Sequence, residues 1–212
     1  MSNIIIALEI IGTVAFAASG AMTAIKKNMD IFGVIILGLT TSIGGGAIRD
    51  IILGITPPTT FKHPLYAFVA IIVSIIVFLP FCVNRIKKSH KKFDVFLLLM
   101  DSVGLGVFTV SGIQTAYSVN TDNSAFLLIF VGVITGVGGG VLRDIMAGDT
   151  PYIFVKHFYA TASFIGAIIC VLLWNKNSTL AVTLGAAVII ILRLLAAKFR
   201  WKLPKYREKF EQ

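Results

Sequence analysis

The chain is organised as long apolar runs separated by short segments rich in charge, proline or asparagine. Each run is close to the roughly 20 residues that an α-helix needs to cross a bilayer. A transmembrane β-barrel requires alternating strands of about ten residues, and these runs are continuously apolar, so a barrel does not fit. The pattern predicts an all-α membrane protein with seven transmembrane helices, at residues 4–25, 31–53, 64–84, 94–117, 124–147, 157–174 and 179–199.

The composition agrees with membrane burial and excludes an ordinary soluble protein. Of the 212 residues, 57% are hydrophobic and 14% are charged, and the mean hydropathy is +0.90, whereas soluble domains carry roughly 25% charge. Cys82 and Cys170 both lie in apolar runs, which argues against a disulfide framework. The sequence contains no motif of an enzyme, a cofactor site or a metal site. We therefore expect a protein that is not an enzyme and holds no cofactor.

The distribution of charge predicts the orientation in the membrane. The 19 Lys and Arg outnumber the 10 Asp and Glu, which gives a formal net charge of +9. Most basic residues fall on the side that holds segment 85–93 and the tail 200–212, and only Lys62 and Lys176 fall opposite. The positive-inside rule then places the N-terminus outside and the C-terminus in the cytoplasm. The basic tail is interpreted as an orientation signal, with contact to anionic lipids as the alternative, and no nucleic-acid partner is expected.

A duplicated motif divides the chain into two related halves. The sequence from Gly44 to Asp50, Gly-Gly-Gly-Ala-Ile-Arg-Asp, recurs 94 positions later from Gly138 to Asp144 as Gly-Gly-Gly-Val-Leu-Arg-Asp. Each copy holds three predicted helices, an odd number, so the second copy enters the membrane from the opposite side. Inverted repeats place a solute or ion path where the two copies meet. The predicted units are a first repeat at 1–84, a basic cytoplasmic linker at 85–93, a second repeat at 94–175, a seventh helix at 176–199 and a basic cytoplasmic tail at 200–212.

The glycine triads predict weak points in the second and fifth helices. Glycine costs about 1 kcal/mol relative to alanine in a helix interior, and a helix broken inside the membrane needs a buried or water-filled cavity for its freed backbone groups. We expect a kink beside a pore at each triad. The alternative is close packing, because small residues at four-residue spacing form a common contact between helices. The triads are Gly44, Gly45 and Gly46 in the first copy and Gly138, Gly139 and Gly140 in the second.

Ionisable residues inside the apolar runs are candidates for function. Adjacent helical residues point about 100° apart, so Arg49 is not expected to pair with Asp50, nor Arg143 with Asp144. At helical rise the two arginines lie about 20 Å apart, on opposite sides of the midplane. The two sites are therefore not expected to bridge, and each would guard one mouth of a common path. The alternative is that both arginines snorkel to the membrane interface.

Carboxylates and hydroxyls complete the set of candidate pore residues. Glu9 and Asp101 occupy matched positions in the first turns of the first and fourth predicted helices, where they would attract cations to the two entrances. Favourable placement at a helix N-terminus is an equal alternative. Hydroxyls can line a wet path, although in membrane helices they more often bond to their own backbone or to a neighbouring helix. The candidate hydroxyls are Ser19, Thr40, Thr41, Ser111 and Thr135.

The doubled motif, the Ser-Gly pairs that begin at Ser19 and Ser111, and the layout of three plus three plus one helices resemble a known family. The chain is similar to prokaryotic members of the trimeric intracellular cation (TRIC) channel family, whose repeat unit is also called a glycine transporter domain. The similarity covers about residues 4–199. It implies a homotrimer in a prokaryotic plasma membrane, with a pore in each subunit that passes monovalent cations, K⁺ in particular and Na⁺ as a further candidate. The triads that begin at Gly44 and Gly138 correspond to helix kinks of that family.

Two functions stay open on the sequence. The first is a channel permeable to K⁺. The second is a secondary transporter of glycine or another small amino acid, which would use the same interrupted helices to bind its substrate at the midplane. A purely structural membrane protein is disfavoured, because buried charges and triple glycines are costly without a purpose.

Overall fold

A computed structural model describes residues 3–83, 90–119, 124–155 and 158–201. These ranges contain helices and no β-strand, as predicted. The basic linker 85–93 and the tail 200–212 fall largely outside them. In chain order the helices are α1 (Asn3–Lys26), α2 (Ile31–Ile52), α3 (Thr59–Lys62), α4 (Leu65–Phe78), α5 (His90–Val119), α6 (Ala125–Met146), α7 (Tyr152–Val155), α8 (Ala160–Trp174) and α9 (Ser178–Lys198).

Within the described ranges, five helices are long and apolar enough to cross a membrane: α1, α2, α5, α6 and α9. Their apolar spans contain 21 to 27 residues, which at about 1.5 Å per residue is roughly the thickness of a hydrocarbon core. Large apolar side chains lie exposed on the helix surfaces, such as Phe126 on α6 and Leu172 on α8. The chain is therefore an all-helical membrane protein. The remaining two predicted spans correspond to α4 and α8, which have 14 and 15 residues.

The third predicted span is shorter than expected because of Pro80. Helix α4 ends at Phe78, and Leu79 adopts ψ 142° before residues 80–83 become helical again. A residue before proline is driven out of the helical region by the proline ring, and proline itself donates no backbone hydrogen bond. The uninterrupted helix predicted over 64–84 is therefore wrong at this point.

Helices α2 and α6 begin and end with the same local signals, 94 residues apart. The side chain of Asp30 accepts a hydrogen bond from the amide of Gly33, and that of Ser124 accepts one from the amide of Leu127. Two residues beyond the last residue of each helix lies a glycine of positive φ, Gly54 at 69° and Gly148 at 70°. The following amides donate back to the carbonyls of Asp50 and Asp144, at 2.8 and 2.9 Å, which completes the common glycine-terminated helix end. Both Arg-Asp motifs are thus held in the last turn of a helix.

The centre of the molecule is formed by α1, α2, α5 and α6, which pack against one another. Helix α4 covers α1 and α2, and α8 covers α5 and α6. Helix α9 has no counterpart in the first half, and it packs against α5 and α8. The four-residue helices α3 and α7 follow the Thr-Pro turns after α2 and α6, and they were not predicted from the sequence.

Candidate functional site

The glycine triads form the crossing point of α2 and α6. Both helices run without interruption through their triads, and the close packing that the sequence offered as an alternative is found there. The kink at each triad stays a prediction. A Cβ atom on Gly45 would fall on the carbonyl oxygen of Thr135, and one on Gly139 would fall on the carbonyl oxygen of Thr41. Because Thr41 and Thr135 are matched residues of the two copies, the contact is reciprocal. Only glycine allows the two backbones to approach this closely.

Each Arg-Asp motif forms an ion pair within itself, which corrects the prediction that adjacent residues do not pair. Arg49 Nε donates to Asp50 Oδ1 at 2.8 Å, and Arg143 Nε donates to Asp144 Oδ1 at 2.9 Å. The angle of about 100° between adjacent helical residues describes the directions of their Cα–Cβ bonds. An arginine side chain is long enough to fold back toward the neighbouring aspartate. None of these four residues is more than 7% exposed, so the alternative of snorkelling arginines does not hold either.

The aspartates of these motifs also fix the segments that follow α2 and α6. Asp50 Oδ2 accepts the amide of Thr59 at 2.7 Å, and Asp144 Oδ2 accepts the amide of Tyr152 at 2.9 Å. Thr59 and Tyr152 are the first residues of α3 and α7. A carboxylate at the start of a helix satisfies a free amide and suits the helix dipole. Asp50 and Asp144 therefore attach the short helices to the bundle.

Asp101 is the centre of a buried group of charges, the Asp101 cluster, which consists of Asp101, Arg143, Asp144, Arg193, Tyr159 and Ser19. Arg143 Nη1 donates to Asp101 Oδ1 at 2.7 Å and also bonds to Ser19 Oγ of the first half. Arg193 Nη2 lies 3.3 Å from the other oxygen of Asp101. Asp101 is completely buried, about eleven residues into α5, so the prediction that it stands in a first helical turn at an entrance is wrong.

Glu9 has a different environment, in what we call the Glu9 cluster: Glu9, Ser111, Tyr66, Arg49, Asp50 and Thr59. The carboxylate accepts hydrogen bonds from Ser111 Oγ at 2.7 Å and from Tyr66 Oη at 2.6 Å. Both donors are neutral. Among the described residues, no Lys, Arg or His nitrogen lies within 4.0 Å of this carboxylate, since Arg49 is paired with Asp50 instead.

A cavity of about 810 Å³ adjoins the Glu9 cluster. It lies between the start of α1, the end of α2, the α3 segment with the start of α4, and the end of α5, which is the end of the bundle where α1 begins. Polar side chains occupy its wall beside apolar ones. The polar lining residues include Glu9, Thr13, Ser42, Arg49, Ser111 and Gln114.

The two ends of the α2–α6 crossing differ in how open they are. Beside Gly46, the atoms nearest to an added Cβ lie 3.8 and 3.9 Å away, on Arg49 and Thr60, and this residue lines the cavity. Beside Gly140, the corresponding Cβ would lie 2.7 Å from Tyr159 Oη. The Glu9 end therefore has an open space where the Asp101 end is filled.

The candidate hydroxyls divide into two groups. Thr41 and Thr135 donate to the carbonyls of Leu37 and Val131, both at 2.6 Å, so they bond to their own helices. Ser19 and Ser111 instead bond across the two halves, Ser19 to Arg143 and Ser111 to Glu9. Thr40 is half-buried and is not among the residues that line the cavity.

Two further participants were not selected from the sequence. The first is the pair Tyr66 and Tyr159, which bond to the matched carboxylates. Tyr66 Oη donates to Glu9 at 2.6 Å, and Tyr159 Oη donates to Asp101 at a longer 3.5 Å. The sequence contains a signal for this pair, because Leu-Tyr-Ala at 65–67 is repeated as Phe-Tyr-Ala at 158–160. The second is Arg193, whose signal was its position as a lone charge inside the last apolar run.

The sequence and the structure both match known proteins. A family model described as Glycine transporter matches residues 6–80 and 98–175. The UPF0126 inner membrane protein YadS of Escherichia coli strain K12 is 36% identical over 202 residues, 94% of each chain. The UPF0126 membrane protein YvgT of Bacillus subtilis strain 168 is 35% identical over 198 residues, 93% of this chain and 94% of its own.

Three solved structures that are similar to this chain are TRIC channels. One TRIC cation channel chain, solved to explain conductance, is 38% identical with a TM-score of 0.84, and the match covers 100% of both chains. A prokaryotic TRIC channel crystallised in 0.5 M KCl is 32% identical with a TM-score of 0.86, covering 96% of this chain and 100% of the other. The TRIC orthologue from Rhodobacter sphaeroides is 33% identical with a TM-score of 0.85, over 94% of this chain and 100% of its own. The chain therefore belongs to the family described as Glycine transporter, that of the prokaryotic TRIC channels.

Proposed function

We propose that the protein is a cation channel, permeable to K⁺, in which each protomer has its own conduction path between the two halves. The observation that carries this proposal is the cavity between α1, α2, α4 and α5, whose wall holds the Glu9 carboxylate, bonded by two hydroxyls and, among the described residues, by no cationic group within 4.0 Å. A carboxylate at a pore wall attracts cations and repels anions. The solved TRIC chains named above are described as cation channels, and their similarity to this chain supports the same activity here.

The path runs from the cavity along the α2–α6 crossing to the Asp101 cluster. The Asp101 end is filled by buried, ion-paired side chains, and this arrangement represents a closed state. Opening requires Arg143 or Tyr159 to move, because these side chains occupy the space beside Gly140. The glycine triads act in this path as a close contact between two continuous helices.

The two halves are inverted repeats within a bundle of seven transmembrane helices. The reciprocal contacts support this arrangement: Gly45 with Thr135 and Gly139 with Thr41, and likewise Ser111 with Glu9 and Ser19 with the Asp101 cluster. A pseudo-two-fold axis at the α2–α6 crossing produces such pairs. Helices α4 and α8 serve as the third and sixth crossings, with the Pro80 bend and the short helices α3 and α7 making up the remaining length.

The protein assembles as a homotrimer in the plasma membrane, with its N-terminus outside and its C-terminus in the cytoplasm. This proposal is supported by two relatives: YadS is named an inner membrane protein, and the Rhodobacter sphaeroides orthologue is named a trimeric channel. The excess of Lys and Arg on one side of the predicted spans supports this orientation. The basic tail at 200–212 then acts as an orientation signal, with contact to anionic lipids of the inner leaflet as its alternative role.

Recording from purified protein in planar bilayers tests the proposed function. We expect discrete unitary currents that reverse near the K⁺ equilibrium potential in a KCl gradient. Protein that assembles normally but gives no unitary current would contradict the proposal.

A secondary transporter of glycine or another small amino acid is the second candidate. It is favoured by one observation, namely that the cavity is open at one end and filled at the other, as in a carrier with alternating access. Saturable uptake of glycine into proteoliposomes, in the absence of unitary currents, would establish this function instead. Uptake that does not saturate, together with unitary currents, would support the channel.

A further inference from the structure

Arg193 introduces a charge to the second half that the first half lacks. It lies on α9, which follows both matched copies, so no residue of the first half corresponds to it. Its side chain is 3% exposed, and its guanidinium lies over the ring of Tyr159 at 4.6 Å. The Nη2 atom is 3.3 Å from Asp101 Oδ2. Arg193 is therefore a part of the Asp101 cluster that the repeat does not explain.

Asp101 has a guanidinium on each of its carboxylate oxygens. Arg143 bonds to Oδ1 at 2.7 Å and Arg193 bonds to Oδ2. The matched carboxylate, Glu9, has a hydroxyl on each oxygen, from Ser111 and Tyr66. A hydroxyl donor leaves the negative charge of a carboxylate uncancelled, whereas a guanidinium cancels it.

The formal charges of the two clusters differ by one unit, and Arg193 is the reason. In the Glu9 cluster, Arg49 balances Asp50 and Glu9 remains, which gives a formal charge of −1. In the Asp101 cluster, Arg143 and Arg193 balance Asp101 and Asp144, which gives zero. Without Arg193, the two clusters would carry the same charge.

We propose that Arg193 determines which carboxylate of the repeat pair is available to a permeating cation. It cancels the charge of Asp101, so that Glu9 alone attracts cations, at one end of the path. Arg193 is thus a positioning residue that acts through Asp101, and this inference rests on the proposed channel function. It predicts a channel that passes cations more readily when they enter from the Glu9 end.

The current–voltage relation of Arg193→Gln, compared with that of the unmodified protein, tests this proposal. The recordings use symmetrical KCl at low ionic strength, where fixed charges are least screened, and a C-terminal tag reports the direction of insertion. In the unmodified protein we expect larger K⁺ currents for entry from the Glu9 end than for the reverse direction at equal voltage. In Arg193→Gln we expect entry from the opposite end to rise by about twofold, the factor produced in water by one unit charge at ~8 Å, and the asymmetry to decrease.

Two further variants separate charge from structure. Arg193→Lys keeps the positive charge, so it should keep the asymmetry. Arg193→Gln combined with Asp101→Asn removes both charges, so it should return the current for entry from the Asp101 end to the unmodified level.

An Arg193→Gln channel with the unmodified current–voltage relation would overturn the proposal. If that variant does not assemble, the K⁺ currents of the unmodified protein in the two directions provide the test. Equal currents in both directions would overturn the proposal as well. The absence of any current in assembled, unmodified protein is a different result, which defeats the proposed channel function itself.

Discussion

At the scale of single residues, matched positions of the two halves hold the same chemistry in different environments. Glu9 and Asp101 are both carboxylates, but Glu9 is bonded by two hydroxyls beside a cavity and Asp101 by two guanidinium groups in the protein interior. A buried carboxylate with cationic partners stabilises the fold only as a complete group, because removing one partner leaves an uncompensated charge. A carboxylate at a cavity wall remains available to mobile ions.

Replacement of Glu9 by glutamine is expected to lower the preference for cations with little effect on stability. The glutamine side chain still accepts a hydrogen bond from Ser111 or Tyr66, while the negative charge at the cavity wall is lost. The reversal potential in a KCl gradient should shift toward the Cl⁻ equilibrium potential. Asp94→Asn is the matched control, because Asp94 forms an exposed surface pair with Lys26 at 3.7 Å. Equal reversal potentials for both variants would show that Glu9 does not select cations.

Replacement of Asp101 by asparagine is expected to destabilise the protein. The substitution leaves Arg143 and Arg193, both almost fully buried, without the carboxylate that they share. Breaking a buried ion pair on one side costs about 3–5 kcal/mol. Thermal unfolding in detergent should show a clear decrease in Tm for Asp101→Asn and a much smaller one for Glu9→Gln. A similar Tm for the two variants would indicate that the ion pairs of the Asp101 cluster do not stabilise the fold.

At the scale of the helices, glycines that are adjacent in a triad have different surroundings. Gly45 and Gly139 allow the backbones of α2 and α6 to meet, whereas Gly46 borders open space in the cavity. Gly45→Ala and Gly139→Ala should therefore each destabilise the bundle by at least about 1–3 kcal/mol, the usual cost of overpacking. Gly46→Ala should be neutral or stabilising by up to about 1 kcal/mol, because alanine favours the helix.

Thermal unfolding and the yield of assembled protein measure these effects. Gly46→Ala is the internal control for the other two variants, since it makes the same chemical change one residue from Gly45. If all three variants lowered Tm equally, a general requirement for weak helices at the triads would explain the result better than the close contact between α2 and α6.

Most helix positions could be predicted from the sequence, because a membrane helix must be apolar along its full length and is bounded by polar residues. The interruption at Pro80 was also present in the sequence, but the apolar run continues through it and conceals it. Contacts between side chains were less predictable. The ion pair of Arg49 with Asp50 depends on how a long side chain folds back, and the burial of Asp101 depends on Arg193, which arrives from another helix 92 residues later.

At the scale of the whole molecule, two similar halves meet at one crossing and α9 makes them unequal. The first half borders a cavity at the Glu9 cluster, and the second half is closed around the Asp101 cluster with Arg193 from α9. The path proposed for each protomer would then have one open and one filled end. Such a path predicts that ions pass through the cavity of each subunit and not along the axis between subunits.

Thiol modification inside the cavity tests this path most directly. Thr115→Cys places a thiol on the cavity wall, and Ile11→Cys places one on α1 at a half-exposed position outside the cavity. Both are made with Cys82→Ala and Cys170→Ala, which remove the native thiols. A charged, membrane-impermeant thiosulfonate is applied from the side where α1 begins while single-channel K⁺ current is recorded. We predict that modification blocks the current of Thr115→Cys and leaves that of Ile11→Cys unchanged; full current through modified Thr115→Cys channels would contradict a conduction path between the two halves.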